Sequence, residues 1–133
     1  MTGLRRQAWC FAGIGAVGFL VDAGVLSWLV ASQGWGLYSA RAISFGLAVT
    51  ATWYLNRRIT FASHARAGRG REYGRYLSTQ TIGALINLGV YVSVIAAVPT
   101  LASCPVIPLA LGSATALLFN FVSARLWVFS HRG

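Results

Sequence analysis

The chain has 133 residues, 56% of them apolar and only 10% charged, with a mean hydropathy of +0.64. Its net charge of +9 comes from eleven basic residues, every one an arginine, set against Asp22 and Glu72. Soluble domains carry about 25% charged residues, so this composition excludes a soluble enzyme, a disordered tail, a disulfide scaffold and a soluble nucleic-acid binder, and leaves an integral membrane protein.

Four apolar stretches follow in order. Residues 8–31 form the first, with Asp22 as its one charge. Arg5 and Arg6 ahead of it resemble the start of a signal peptide, but the run is too long for one and is expected to stay as a helix. Residues 37–55 form the second, with Arg41 inside it, and a basic loop at 56–75 carries Arg57, Arg58, Arg66, Arg69, Arg71 and Arg75. Residues 76–98 are uncharged, and residues 106–129 contain only Arg125. A helix needs about 20 mainly apolar residues to cross a bilayer, and backbone groups in lipid must bond internally. The expectation is an all-α integral membrane protein: one transmembrane domain over residues 1–133 with four spanning helices. With four crossings, all the arginines except Arg41 fall on one side, Arg132 included. The positive-inside rule then places both termini and the 56–75 loop in the cytoplasm, for a multi-pass protein of the inner membrane.

Little else in the chain suggests chemistry. Cys10 is expected near the inner end of the first helix and Cys104 in the outer loop, and neither they nor His64 and His131 have metal-ligand spacing. There is no phosphate-binding glycine loop and no paired carboxylate, so neither ATP hydrolysis nor glycosidase chemistry has its parts. No enzyme activity, cofactor or metal is expected. The Gly68–Arg71 run suits a flexible basic segment facing anionic membrane lipids better than an RNA-binding tract.

An internal repeat is more informative. At an offset of 68, residues 52–61 fall on 120–129, matching Arg57 to Arg125 and Phe61 to Phe129. At an offset of 65, residues 18–25 fall on 83–90, matching Gly18 to Gly83, Gly24 to Gly89 and Asp22 to Asn87. This is the pattern of two parallel helical hairpins, as in some transporters. The faces repeat as well: Ser44, Ala48, Thr52 and Asn56 form a small and polar stripe, and Gly112, Ala116, Asn120 and Ala124 form its counterpart. Such stripes serve close helix packing, and their Asn and Thr residues can hydrogen-bond across it.

Asp22 lies roughly 21 Å along the first helix at 1.5 Å per residue, a depth that Arg41 can share near the start of the second. Ionisable residues in a membrane mark functional sites by default. A structural ion pair or a snorkelling Arg41 are the alternatives. Asp22, Arg41, Thr52, Asn87 and Asn120 together make a candidate intramembrane polar path. At the inner rim, Asn56, Arg57, Arg58 and Arg125 are candidates for phosphate or headgroup binding. Trp53, Tyr54 and Trp127 beside them suit a sugar ring or headgroup. Guanidinium forks fit phosphate oxygens, although arginines and aromatics also gather at any membrane interface.

In this order and topology the chain resembles the GtrA-like family of small four-helix bacterial membrane proteins. The resemblance is carried by Val17-Gly18 with Asp22, by Ala42-Ile43-Ser44-Phe45 leading to Asn56-Arg57-Arg58-Ile59-Thr60-Phe61, and by Asn120-Phe121 leading to Arg125-Leu126-Trp127-Val128-Phe129. It runs from about Cys10 to Phe129, and departs from the family's asparagines at Thr52 and Ala124. It implies translocation of a polyprenyl-phosphate-linked monosaccharide for assembly of cell-surface polysaccharide or cell wall. It equally admits an accessory or anchoring subunit of a membrane glycosyltransferase. A small multidrug-type exporter fits the length but lacks the essential glutamate of that class. Four helices enclose little space, so a homodimer is expected.

Overall fold

The computed structural model describes residues 2–64, 68–104 and 106–130. Arg66, His131 and Arg132 lie outside the described residues. The elements are α1 (Thr2–Ala31), α2 (Leu37–Leu55), α3 (Arg69–Ala97) and α4 (Val106–Ser123), with no strand among the described residues. A five-residue π-helical turn follows α2 at Asn56–Thr60, another follows α4 at Ala124–Val128, and a short 3-10 helix, Pro99–Ser103, precedes α4.

Three of the described segments, Gly3–Ala31, Arg69–Ala97 and Val106–Val128, are long and apolar enough to cross a membrane. The 19-residue α2 is not one of them; Arg41 and its Ser, Thr and Tyr residues dilute its apolar content. Exposure runs opposite to that of a soluble protein. Phe19, Leu20, Leu85, Leu118 and Leu126 are exposed, whereas Ser44, Asn56, Thr60, Glu72 and Thr79 are buried. An apolar exterior over small and polar contacts is how helices pack when lipid is the solvent, and the protein is a membrane protein.

Helix boundaries differ from those expected. α1 begins at Thr2 rather than 8, and α3 at Arg69 rather than 76. The basic loop expected at 56–75 is therefore a π-turn, a short connection and the first two turns of α3. The last stretch, expected as one helix to 129, is α-helical only to Ser123. Counting apolar residues finds the part of a helix suited to hydrocarbon. Helical hydrogen bonding continues through Arg, Gln and Glu, which are good helix formers.

The chain divides into two compact units between residues 65 and 66. The first holds α1, α2 and the π-turn after α2; the second holds α3, the 3-10 helix, α4 and the π-turn after α4. In each, the second helix folds back along the first. The connection at 32–36 turns at Gly34, whose φ of +69° lets the Trp35 N–H reach the Leu29 carbonyl at 3.0 Å. The equivalent connection, 98–105, is three residues longer and contains the 3-10 helix. That insertion is why the first helices repeat at an offset of 65 and the second helices at 68.

Residue by residue, the contacts repeat with the same offsets. The Phe11 and Phe61 rings meet edge-on at 6.4 Å in the first unit, and those of Tyr76 and Phe129 at 6.2 Å in the second. Gly18 faces Thr52, and Gly83 faces Asn120, so closely that a Cβ on either glycine would collide with that side chain. Along α2 the buried residues are Ala40, Ser44, Ala48, Val49 and Thr52, and along α4 they are Pro108, Gly112 and Ala116.

Candidate functional site

Each unit ends its second helix in a π-turn. The Phe61 N–H bonds to the Asn56 carbonyl at 2.8 Å, and the Phe129 N–H to the Ala124 carbonyl at 2.9 Å, both closing an i to i+5 ring. In such a turn residue i+5 stands over residue i, which carries each phenylalanine onto the buried face. Single π-turns within helices often mark functional positions, and these two hold Arg57, Arg58 and Arg125.

Inside the first turn Asn56 is buried, and its Oδ1 accepts a 2.8 Å hydrogen bond from the Thr60 hydroxyl. The Arg57 guanidinium lies 5.8 Å from the Trp53 ring centroid, and that of Arg58 lies 5.2 Å from Tyr54. Stacking of this kind orients a guanidinium through its face and leaves in-plane donors for an anion. Arg57 is half-buried and Arg58 exposed. In the second turn Arg125 and Trp127 are exposed, but the cation over the Trp127 ring is Arg75, at 5.5 Å. Arg75 also donates to the Trp127 carbonyl at 3.2 Å.

The sequence alone places Arg75 in a loop and gives Glu72 no role. The structure puts both on α3 and buries Glu72 completely. The signal was periodic: Glu72, Tyr76, Thr79 and Gly83, spaced four, three and four residues apart, form one buried face of α3. Phe11, Ile14 and Gly18 form its counterpart on α1.

Of the polar residues expected within the membrane, Asp22 and Arg41 come together: Arg41 Nη1 donates to Asp22 Oδ2 at 2.6 Å. Asp22 is 16% exposed and Arg41 55%. The other carboxylate oxygen of Asp22 is buried with no hydrogen-bond partner among the described residues. Thr52 turns its methyl towards Gly18 and its hydroxyl to the Val49 carbonyl at 3.1 Å. Asn87 and Asn120 lie on one seam, between α3 and α4. Asn87 Nδ2 donates to Ser113 at 3.5 Å, and the Asn120 amide sits over Gly83, about one helical turn away. The Oδ1 of Asn120 is buried with no hydrogen-bond partner among the described residues.

Each unit is thus a helical hairpin closed by a π-turn, with basic and aromatic side chains at that turn and polar side chains between its apolar helices. No curated protein sequence matches the chain. Residues 10–129, which include all of α2, α3, α4 and both π-turns, match the family model described as GtrA/DPMS, transmembrane domain. With that match running over nearly its whole length, the chain belongs to the GtrA/DPMS transmembrane-domain family.

Proposed function

We propose that this protein flips a polyprenyl-phosphate-linked monosaccharide from the cytoplasmic to the outer leaflet of the inner membrane, where cell-surface polysaccharide or cell wall is assembled. Family membership ties the chain to membrane processes involving polyprenyl-phosphate sugars. The observation that carries the rest is the Asn120 amide. A buried polar oxygen without a partner destabilises a helix pair in lipid by several kcal/mol on transfer scales, and a mere anchor has no use for one. A translocation path does, since sugar hydroxyls and phosphate must find partners midway.

Four helices cross the membrane, with both termini cytoplasmic and the arginines at the inner face. Arg57, Arg58 and Arg125, with Asn56, receive the phosphate; Trp53, Tyr54 and Trp127 take the sugar or headgroup. Asp22, Arg41, Thr52, Asn87 and Asn120 supply polar contacts through the bilayer. No step breaks a covalent bond, so the protein acts without enzyme chemistry and without ATP, driven by the substrate gradient or by proton coupling through Asp22. Two copies associate to enclose enough space for the cargo.

A second function, as the anchoring subunit of a membrane glycosyltransferase, is favoured by the small residues Gly89 and Ser93 on α3. Reconstitution separates the two. As a flippase, the purified protein alone in liposomes speeds leaflet transfer of a polyprenyl-phosphate sugar, whose unaided crossing is slow because its charge must enter hydrocarbon. Transfer at the protein-free rate, with a glycosyltransferase co-purifying and released by Gly89→Ile or Ser93→Ile, would establish the anchor instead.

A further inference from the structure

We infer that the basic end of the first unit contains a subsite for a phosphate-ester headgroup, held between Arg6 and Arg58, and that the second unit has lost its equivalent. As the entry point for the cargo, this subsite rests on the flippase function proposed above. A cavity of about 420 Å³ lies between the first turns of α1 and residues 58–63, within the range of about 300–1,000 Å³ typical of small-molecule pockets. Arg6 and Gln7 line it from α1, and Arg58, Thr60 and Ser63 from the segment after α2, with Gly3 at its edge. No lining residue is acidic.

The donor set is that of an anion site. Two guanidiniums provide forked donors that match phosphate oxygens. Tyr54 orients one of them, with the Arg58 guanidinium 5.2 Å from its ring centroid. The Ser63 hydroxyl can donate to a further phosphate oxygen, and the Thr60 hydroxyl, whose proton goes to Asn56 Oδ1, can accept from a sugar. The cavity opens at the end of the hairpin that carries Arg5, Arg6, Arg57 and Arg58, where a phosphate headgroup would sit at the membrane surface.

The internal repeat sharpens the assignment. At the two offsets Gly3 and Arg6 recur as Gly68 and Arg71, so the frame is kept. Gln7, however, becomes Glu72, Arg58 becomes Leu126 and Thr60 becomes Val128. One arginine of the pair is replaced by leucine, and the amide becomes a carboxylate that the second unit buries. At the position of Arg58 the second unit therefore offers a phosphate no guanidinium fork. The cavity with two arginines is therefore a feature of the first unit alone.

The test uses the full-length protein in phosphatidylcholine nanodiscs, with retained polyprenyl phosphate measured by native mass spectrometry. Arg6→Gln and Arg58→Gln should each weaken retention about tenfold, the loss of one charge-assisted bidentate contact, while Arg71→Gln in the second unit should stay within about twofold. Arg6 and Arg58 are exposed, so both variants keep the fold. Competition identifies the source of the phosphate: displacement by phosphatidate supports a subsite for any phosphate lipid, and displacement by inorganic phosphate supports one that needs no lipid tail. Unchanged retention in the Arg6→Gln, Arg58→Gln double variant, or an equal loss in Arg71→Gln, overturns the subsite. Leaflet transfer, measured separately, keeps the two ideas apart. A wild-type protein that moves no lipid, yet loses retention in these variants, refutes the flippase and leaves the subsite standing.

Discussion

In the first unit Asp22 and Arg41 join α1 to α2 through a 2.6 Å ion pair, whereas the second unit sets Asn87 against Ser113 at 3.5 Å. The first unit buries Ser44 where the second has Gly112, and there a Cβ would approach the Asn87 carbonyl oxygen to 2.6 Å. A hydrogen-bonded Asn56–Thr60 pair in the first π-turn corresponds to Ala124 and Val128 in the second. One backbone plan is thus held by two kinds of force. The first unit uses charge and hydrogen bonds, and the second uses close backbone approach with apolar filling. Exchanging both partners of a hydrogen bond for apolar groups of similar shape is nearly neutral, so duplicated halves can diverge in chemistry while keeping their geometry.

The largest expected effects test whether the frame is truly shared. Phe61 and Phe129 are each about 2% exposed or less and close matching ring contacts. Phe61→Ala and Phe129→Ala should each destabilise the protein by about 3–5 kcal/mol in chemical unfolding in detergent. Similar losses support equivalent π-turns; a large loss in one and almost none in the other breaks the equivalence.

Smaller effects should separate the halves. Gly112→Ala forces α3 and α4 apart against backbone, an overpacking cost of about 1–3 kcal/mol. Ser44→Ala, at the matching position, removes only the hydroxyl that bonds the Arg41 carbonyl at 3.1 Å, and should cost about 1 kcal/mol or less. If Ser44→Ala proves the more damaging, the second unit is not the more tightly packed.

Electrostatic coupling gives the finest distinction. A double-mutant cycle on Asp22→Asn and Arg41→Gln should show a coupling energy of about 0.5–3 kcal/mol, as for other contacting pairs. The long Asn87–Ser113 contact should show less than about 0.5 kcal/mol. Additive losses at Asp22 and Arg41 would mean that the ion pair holds nothing together.

Much of this architecture is legible in the residues, because lipid leaves few ways to satisfy a backbone. Apolar run lengths mark the helices, and the repeat at Gly18/Gly83 and Phe61/Phe129 locates contacts that the fold repeats. The Ser44–Asn56 stripe lies on the α2 packing face for the same reason: only small or hydrogen-bonding side chains allow close approach. Helix starts were not legible from hydropathy, since Arg6, Gln7, Arg71 and Glu72 continue a helix as well as apolar residues do. The π-turns leave no compositional mark. They follow from a tertiary need to bring Phe61 and Phe129 inward, which shows only once α1 and α3 are in place. Arg75 was hidden likewise, because its partner Trp127 is 52 positions away.

The central claim is that the polar seam of this small hairpin pair carries a lipid-linked sugar across the bilayer. Leaflet transfer by the wild type and by Asn120→Leu, reconstituted side by side in liposomes with a fluorescent polyprenyl-phosphate sugar, tests it most directly. The wild type should exceed protein-free vesicles, and Asn120→Leu should fall by about tenfold, the loss of roughly one hydrogen bond at mid-path, with lipid retention at the arginines unchanged. Wild-type transfer at the protein-free rate, or an Asn120→Leu variant as fast as the wild type, would contradict it.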